Sequence, residues 1–185
     1  DSPNPRPLIV SGLIITYDAA TKTIHGFTHD GQEQWSYKRD AELCGMASAW
    51  GDVVAVYRTN IGCGDVVAIK ASTGQYSHTR SAIAPEDVAV ISSNDRVGYI
   101  APSRSEIWRS DLVRTVEYGE VEAPQEPDSQ PHAECTRTSA LTRKEFYAVT
   151  EQCEDGAWLR TQKATPEDSR KPEIHSSVEI PEGSY

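Results

Sequence analysis

Apolar residues occur along this chain in short runs that alternate with polar residues, and the runs are rich in Val, Ile and Tyr. The clearest runs are residues 13–17, 53–57, 66–69, 88–91, 97–100 and 146–149. Short β-branched runs bounded by turn residues are typical of strands. No stretch of the chain keeps its apolar positions at helical spacing. The pattern therefore predicts an all-β chain.

Turn residues divide these strands into hairpins that recur at a regular interval. Asp30-Gly31 and Thr73-Gly74 lie at two of the turns, and their glycines are 43 residues apart. Four hairpins of this kind fall at residues 24–37, 66–77, 107–118 and 157–175. A repeat of about 45 residues is the size of one four-stranded propeller blade. We predict a β-propeller-like array of about four small antiparallel sheets, closed as a four-bladed propeller or open as a half-propeller, with an ordinary β-sandwich as the alternative.

The predicted organisation is a single propeller-like domain, residues 8–185, that follows a Pro-rich linker. The linker, residues 1–7, holds three prolines and is expected to be stiff and extended. The repeats are placed at about residues 8–43, 44–86, 87–123 and 132–180. Such linkers follow a removed signal peptide or an N-terminal membrane anchor outside this sequence, and an arbitrary boundary would look the same, so the linker predicts only that the folded part begins near residue 8.

The four cysteines form two similarly spaced pairs, separated by 19 and 18 residues. The sequence before Cys44 resembles the sequence before Cys135, which indicates the same bridge in two repeats. We predict the disulfides Cys44–Cys63 and Cys135–Cys153, with four reduced and buried thiols as the alternative. Disulfides place a protein outside the cytoplasm, so the expected location is extracytoplasmic.

Charge narrows the choice of partners. The chain has 28 Asp+Glu against 18 Lys+Arg, a net charge of −10. Nucleic acid and anionic membrane surfaces repel such a chain, so no nucleic-acid partner is predicted. Residues 117–134 contain six acids and neither Lys nor Arg, which predicts a solvated acidic loop or, alternatively, a docking site for a basic partner. This loop and the C-terminal tail are the candidate covers for exposed sheet edges.

Candidate chemistry is sparse. The sequence contains no motif of a nucleophilic hydrolase, a zinc protease or a nucleotide-binding loop, so we predict no enzyme, no catalytic residues and no cofactor. His25 and His29 are four residues apart on a strand and turn, a span of about 13 Å that is too long for one ion. No metal site is predicted, and His132 is expected to be solvated.

For two further groups of residues, the sequence predicts a structural role rather than a binding site. Charged residues of the third repeat predict a solvated face rather than an anion site, namely Arg96, Arg104, Arg109 and Arg114 with their acidic neighbours. The tryptophans are expected to lie at corresponding places in the blades and to pack between them, namely Trp35, Trp50, Trp108 and Trp158.

Two motifs resemble the repeats of pyrroloquinoline-quinone-like propellers, Asp30-Gly31-Gln32-Glu33-Gln34-Trp35 and Thr73-Gly74-Gln75-Tyr76. A wider set looks like the extracytoplasmic propeller-repeat proteins of actinobacteria: Trp35-Ser36-Tyr37-Lys38-Arg39-Asp40, Leu43-Cys44-Gly45, Trp50-Gly51, Val56-Tyr57-Arg58 and Gly62-Cys63. This resemblance spans roughly residues 10–165 and transfers no functional residue.

The resemblance implies a function and a location. It implies a non-enzymatic scaffold of the cell envelope, anchored to the inner membrane, whose partner is a membrane transporter that exports a mycolic-acid glycolipid, or another envelope protein. Two alternatives stay open: a quinone- or sugar-binding enzyme domain, and a scaffold for outer-envelope assembly.

Overall fold

Strands alone make up the regular structure of this protein. The computed structural model describes residues 5–121 and 126–181, and this part of the chain contains sixteen strands and no helix. The strands form four separate antiparallel sheets of four strands each, and within each sheet the spatial order follows the chain order. The prediction of four small antiparallel sheets is therefore confirmed. We call the sheets blades 1 to 4. No described segment is a helix that could cross a membrane.

The blades have the following strands. Blade 1 contains β1 (Leu8–Val10), β2 (Leu13–Asp18), β3 (Thr23–Phe27) and β4 (Glu33–Lys38). Blade 2 contains β5 (Glu42–Ala49), β6 (Asp52–Thr59), β7 (Gly62–Lys70) and β8 (Tyr76–Ser81). Blade 3 contains β9 (Ala89–Ser92), β10 (Val97–Ile100), β11 (Arg104–Trp108) and β12 (Arg114–Gly119). Blade 4 contains β13 (Thr136–Arg143), β14 (Phe146–Cys153), β15 (Gly156–Lys163) and β16 (Ile174–Ile180).

The chain divides into two compact units. Unit 1 is Asp1–Val90 and holds blades 1 and 2, whereas unit 2 is Ile91–Tyr185 and holds blades 3 and 4, with the division inside β9. The linker prediction falls partly on residues 1–4, outside the described residues. The single domain with its linker and repeat limits stays a prediction.

Blades 1 and 2 pack through an apolar core. Ile15 and Ile24 of blade 1 are fully buried in one cluster with Tyr57 and Ile69 of blade 2. Trp35 in β4 joins the cluster, and its indole N–H donates to the carbonyl of Ala71 at 2.7 Å. Blade 2 therefore supplies both apolar and hydrogen-bonding contacts for this tryptophan.

Two glycines make room for the Trp35 ring. A Cβ on Gly26 would lie 2.4 Å from the ring, and a Cβ on Gly74 would lie 2.6 Å from it. Gly74 also has a positive φ of 72°, a conformation that L side chains rarely adopt. The two turn motifs that revealed the repeat are thus in contact, because the tryptophan of the first packs on the glycine of the second.

Blades 3 and 4 pack through a core that is partly polar. Ile107, Val116 and Tyr118 of blade 3 share a buried cluster with Tyr147 and Val149 of blade 4. The hydroxyl of Tyr147 also hydrogen-bonds to the Ser105 hydroxyl in blade 3. Buried hydroxyls need such partners because leaving them unpaired costs free energy.

The acidic segment next to the edge strand β12 begins later than predicted. The acidic loop was expected to begin at residue 117, but Glu117 is buried within β12. Its N–H donates to the carbonyl of Ser169, and the side chain of Gln130 accepts from Gly119 N–H and donates to the Glu117 carbonyl. Part of the acidic segment therefore covers this strand edge, as predicted, whereas residues 122–125 of that segment lie outside the described residues.

The two ends of the fold also differ from expectation. The strand β1 was missed, because three residues are too few to show a period. The C-terminal tail, residues 165–185, was expected as a cover: Ser169 does accept from the edge strand β12, and the tail then continues as the outer strand β16 as far as Ile180. Residues 182–185 of that tail lie outside the described residues.

Candidate functional site

Both disulfides link the first strand of a blade to the hairpin formed by its second and third strands. Cys44 in β5 is bonded to Cys63 at the start of β7. Cys135, directly before β13, is bonded to Cys153 at the end of β14. The same bridge thus occurs in blades 2 and 4. On the chain-entropy model each closes a loop worth about 3 kcal/mol.

A buried ion cluster lies beneath the second bridge. Glu151 of β14 is 1% exposed and accepts hydrogen bonds from the Tyr118 hydroxyl at 3.0 and 2.9 Å. The Nε of Arg160 also donates to Glu151, and Arg137 Nε lies 3.9 Å from its other oxygen. One buried carboxylate thus faces two guanidinium groups, so this cluster by itself carries net positive charge.

The two arginines connect the cluster to its surroundings. Arg137 donates to the backbone carbonyls of Ser103 at 3.0 Å and Ala133 at 3.2 Å, and also to those of His132 and Cys135. Its guanidinium therefore holds the segment that leads into β13. Arg160 donates to Ser177 at 2.8 Å and lies over the Trp158 ring at 4.9 Å.

An acidic cavity opens beside this bridge. It has a volume of about 590 Å³ and is lined by Pro131, His132, Glu134, Cys153, Glu154, Asp155 and Arg160. Asp155 accepts a hydrogen bond from the Trp158 indole at 3.0 Å, which fixes the β14–β15 turn. Glu134 and Glu154 are exposed, and within the described residues neither belongs to an ion pair. We call this the acidic cavity.

His132 does not match its prediction. It was expected to be solvated, but it lines the acidic cavity and is half-buried. Burial lowers the pKa of His132, and the charge of Arg160 lowers it further. The sequence showed only an isolated histidine beside acidic residues. The pKa of His132 is lowered by burial and by Arg160, which is distant in sequence.

Donor atoms of His132, Cys135 and Glu151 lie within 4.8 Å of one another. The Cys135 sulfur is in a disulfide, and the Glu151 oxygens accept from Tyr118 and Arg160. Metal ligation by cysteine needs a thiolate, so the oxidised chain does not offer these atoms as a ligand set. His25 Nδ1 hydrogen-bonds to Glu33 at 2.7 Å, and the cluster of His132, Cys135 and Glu151 does not include His25 or His29. The absence of catalytic, cofactor and metal sites stays a prediction.

The prediction that the charged residues of blade 3 form a solvated face is wrong in part. Arg104 and Glu106 are buried, and Arg104 donates to Glu106 at 2.7 Å and to Glu117 at 3.0 Å. Glu106 also accepts from the Trp108 indole at 2.9 Å. Arg109, by contrast, is exposed and paired with Asp111, as expected for a solvated residue.

The tryptophans do not occupy corresponding positions. Trp35 lies in the fourth strand of blade 1, whereas Trp108 and Trp158 lie in the third strands of blades 3 and 4. Trp50 lies at the turn between β5 and β6. Their prediction as equivalent positions was therefore wrong, although Trp35 does pack between blades.

Blade 1 has an open sheet face, which we define by Ile9, Ile14 and Phe27. Ile9 pairs with Ile14 and Ile14 pairs with Phe27, so the three side chains share one face of β1, β2 and β3. Ile9 is 82% exposed and Ile14 36%. The ring of His25 stacks on Phe27 at 5.7 Å. This is the face opposite the one that packs on blade 2.

Blade 4 has a second open face, which we define by Leu141, Phe146, Leu159 and Val178. Leu141 is 77% exposed, Phe146 59% and Val178 55%. Leu159 pairs with Val178 across β15 and β16. The sequence analysis identified neither open face, because the alternation along a strand does not tell which of its two faces a neighbouring sheet covers.

The similarity of this chain to known proteins is confined to its fold. No protein-family model matches it, and no curated protein matches it. Among solved structures, BamB from Moraxella catarrhalis is similar at 10% identity, with a TM-score of 0.60 over 96% of this chain and 53% of that chain. BBS1N in complex with ARL6DN, in mercury- and lead-soaked crystals, is similar at 11% identity, with a TM-score of 0.56 over 91% of this chain and 50% of that chain. The chain spans about half the length of these structures, which are propellers.

Proposed function

We propose that this chain is a non-enzymatic scaffold of the cell envelope that binds a basic segment of a partner protein at the acidic cavity. The observation that carries the proposal is the pair of exposed carboxylates, Glu134 and Glu154, at the rim of a cavity of about 590 Å³. Within the described residues, neither carboxylate is neutralised by an ion pair. A Lys or Arg side chain from a partner supplies the missing positive charge.

The cavity is built on rigid elements. The Cys135–Cys153 bridge and the Arg137 contacts with residues 132–135 hold one wall, and the β14–β15 turn holds the other. A surface that does not reorganise on binding loses less conformational entropy there. The net charge of −10 also speeds the encounter with a basic partner at low ionic strength.

The proposed location and partner rest on chemistry and resemblance. Two disulfides fit an extracytoplasmic location, because thiols stay reduced in the cytoplasm. The repeat motifs resemble those of actinobacterial propeller-repeat proteins. Among these proteins, trehalose monomycolate transport factor A has a similar sequence pattern. We therefore propose anchoring to the inner membrane and a partner that is the transporter exporting trehalose monomycolate, a mycolic-acid glycolipid.

Charge reversal at the rim tests the proposal. The chain is immobilised and used to capture the solubilised transporter from envelope membranes of the source organism. The variant Glu134→Lys/Glu154→Lys is compared with Glu145→Lys. Glu145 directly precedes β14 and Glu154 directly follows it, so the two lie about 30 Å apart along the extended strand. We expect at least a tenfold loss of capture for the rim variant and little change for Glu145→Lys.

Two results would contradict the proposal. Recovery of no envelope or transport component by the unaltered chain argues against the scaffold function. Equal capture by the rim variant and the unaltered chain argues against the acidic cavity as the docking site. Because electrostatic attraction between exposed charges is screened by salt, capture should also weaken as ionic strength rises.

A further inference from the structure

The bridge in blade 4 is surrounded by groups that the equivalent bridge in blade 2 lacks. Donor atoms of His132, Cys135 and Glu151 lie within 4.8 Å of one another, and the sulfur of Cys153 is bonded to that of Cys135. No other group of three or more His, Cys, Asp or Glu donors lies this close together in the part of the chain that the structure describes. The bridge of blade 2 therefore belongs to no such group.

We propose that the reduced form of this chain binds one Zn²⁺ ion at the place where the oxidised form has its blade 4 bridge. The ligands are two thiolates, one imidazole and one carboxylate, from Cys135, Cys153, His132 and Glu151. Zinc in proteins is bound by these donor types, most often by four of them in a tetrahedron. The inference is independent of the docking function proposed above, because it concerns the reduced chain and needs no partner protein.

Two of the ligands come from one tight turn. The N–H of Cys135 donates to the carbonyl of His132 at 3.2 Å, so residues 132–135 form a turn in which the two side chains are close together. The guanidinium of Arg137 holds this turn, because it donates to the carbonyls of His132 and Ala133. Zinc ligands are often two residues apart in sequence, and this turn has that spacing.

The other two ligands come from one face of one strand. Glu151 and Cys153 are two residues apart in β14, so their side chains point to the same side of the sheet. The Cys153 sulfur lies 4.0 Å from a Glu151 oxygen. A turn and a strand of the same compact unit therefore bring the four donors around one point.

The distances between the donors are close to those of a zinc site. Zinc–ligand bonds of about 2.0 Å to nitrogen or oxygen and about 2.3 Å to sulfur place neighbouring donors of a tetrahedron about 3.3 to 3.8 Å apart. The donors of His132, Cys135 and Glu151 lie within 4.8 Å of one another. Ligation therefore needs these donors to approach by about 1 Å, while the two sulfurs move apart as their bond is broken.

The hydrogen bonds of Glu151 are compatible with ligation. Its oxygens accept from the Tyr118 hydroxyl at 3.0 and 2.9 Å, and Oε1 also accepts from the Nε of Arg160. A carboxylate offers about four lone-pair positions, so these contacts leave one on Oε2 for an ion. Ligating carboxylates in metal sites are themselves hydrogen-bonded, and such contacts fix the orientation of the ligand.

The charge of the cluster also suits zinc with two thiolates. Arg137 and Arg160 face one buried carboxylate, and the Nη2 of Arg160 lies 3.8 Å from the Cys153 sulfur. Positive neighbours favour the thiolate over the thiol. Two thiolates and one Zn²⁺ sum to zero charge, as the disulfide does. Exchange of the bridge for the ion therefore leaves the buried charge unchanged.

The reduced form arises by exchange of the bridge with a dithiol reductant. A thiolate of the dithiol attacks the sulfur of Cys153, which lines the acidic cavity, whereas Cys135 is 3% exposed. The S–S bond breaks, Cys135 leaves as a thiolate, and the second thiol of the dithiol then displaces Cys153 from the mixed disulfide. The dithiol loses two electrons and becomes a disulfide. Zinc binding releases the thiol protons of the protein to solvent.

The zinc content of the full chain tests the proposal. The chain is reduced with a water-soluble phosphine, which supplies no thiol ligands, equilibrated with Zn²⁺ and separated from unbound metal by gel filtration. We expect elemental analysis to find one zinc ion per reduced chain and none per oxidised chain. Co²⁺ in place of Zn²⁺ should give the visible absorption bands of tetrahedral thiolate coordination. A reduced chain that retains no zinc overturns the proposal.

Thermal unfolding separates a site in the folded chain from binding to loose cysteines. An ion that binds the folded state and not the unfolded state stabilises the fold. Zn²⁺ should therefore raise the Tm of the reduced chain and leave the Tm of the oxidised chain unchanged. Zinc that is retained by the reduced chain without raising its Tm contradicts the proposal.

Removal of each bridge in turn locates the site. Cys44→Ser/Cys63→Ser keeps all the proposed ligands and should still bind zinc after reduction. Cys135→Ser/Cys153→Ser should not. The two variants are matched, because each loses one bridge between equivalent strands of a blade. The reverse result would place the ion at the bridge of blade 2, and the proposal would be wrong.

A histidine substitution tests the ligand set with all four cysteines in place. Loss of an outer hydrogen-bonding partner alone costs about ten- to a hundredfold in metal affinity, so His132→Gln should weaken zinc binding by at least about tenfold. His78→Gln is the control, since His78 is exposed in β8 of blade 2. Equal zinc affinity of His132→Gln and the unaltered chain overturns the proposed ligand set. Circular dichroism of each variant verifies that the sheets are intact.

Discussion

The contact between blades 1 and 2 and the contact between blades 3 and 4 use the same arrangement of sheet on sheet but different chemistry. In unit 1, aliphatic side chains and the Trp35 ring fill the space. In unit 2, Glu151, Arg137, Arg160 and Tyr118 form a hydrogen-bonded ion cluster next to the apolar residues. Blade stacking therefore needs complementary faces, and it does not need one kind of side chain.

The tyrosines show the same difference at the level of single atoms. Tyr57 in unit 1 is fully buried, and no partner for its hydroxyl occurs among the described residues. Tyr118 in unit 2 is equally buried, and its hydroxyl donates to Glu151. Burial raises the pKa of both hydroxyls above the ordinary value. The hydroxyl of Tyr118 is thus satisfied and that of Tyr57 is not, although the ionic contact also leaves Arg137 Nε and the side-chain amide of Gln162 without a hydrogen-bond partner among the described residues.

The largest expected loss of stability comes from a substitution that breaks the apolar contact between blades 1 and 2. Trp35→Ala removes a buried ring that packs on Gly26 and Gly74 and donates to Ala71. We expect a loss of about 4 kcal/mol in the free energy of unfolding, from lost burial and the remaining cavity. Chemical denaturation followed by circular dichroism measures it. A loss comparable to that of an exposed substitution such as Glu145→Ala would contradict the packing assigned to Trp35.

The next largest loss of stability is expected from a substitution that breaks the ion cluster between blades 3 and 4. Glu151→Gln keeps the shape of the side chain but leaves the Arg137 and Arg160 guanidinium groups without their buried counter-charge. We expect a loss of about 3 kcal/mol in the free energy of unfolding. Adding Arg160→Met to Glu151→Gln removes one of the two uncompensated charges and keeps Arg137 bonded to its four backbone carbonyls, so the double variant should cost less than the single change. A double variant that is less stable than Glu151→Gln would contradict the charge imbalance assigned to the cluster.

A smaller pair of substitutions sharpens the comparison. Tyr118→Phe removes a bond to Glu151 and should cost about 1–2 kcal/mol, because the carboxylate loses a donor that burial does not replace. Tyr57→Phe removes a hydroxyl without a described partner and should be neutral or stabilising by up to about 1 kcal/mol. Denaturation of the two variants side by side gives the difference. Similar losses in both would indicate that the Tyr57 hydroxyl has a partner.

The smallest effect concerns pH. Burial and the charge of Arg160 lower the pKa of His132 in the folded state, whereas the unfolded chain keeps a value of about 6.5. As the pH falls below about 6.5, His132 is protonated in the unfolded chain at a higher pH than in the folded chain. The stabilisation is therefore complete above about pH 6.5 and declines as the pH falls toward the lowered value.

His132→Gln removes this dependence and preserves the backbone carbonyl that accepts from Arg137. Thermal unfolding of both chains at a series of pH values measures the effect. We expect the difference between them to narrow, or to reverse in sign, as the solution is acidified. Parallel curves would mean that the environment of His132 does not perturb its protonation.

Strands and repeats were predictable because their signals are local. Residues 66–69 and 53–57 are β-branched runs, and both lie in strands of blade 2. The cysteine spacing likewise led to both bridges, since the repeat places each pair at equivalent points of a blade. The β1 strand was missed because it has only three residues and pairs with β2 through a tight turn.

The candidate sites were predictable only in part. Residues 117–134 were recognised as acidic, and Glu134 does line the acidic cavity. Nothing local distinguishes Glu117, which is buried and paired with Arg104, from Glu154, which is exposed. Their surroundings are set by strands that are distant in sequence, so the charge pattern alone predicted Glu117 to be solvated with the rest of the acidic loop.

The sequence by itself determined the strands, their grouping into four small sheets, the two bridges and the excess of negative charge, because each depends on residue type and short-range spacing. The tertiary structure decided which charges are buried and which apolar faces stay open. A strand has two faces and its residue alternation is the same whichever face is covered. Only the packing of neighbouring sheets made Ile15 a core residue and left Ile9 exposed.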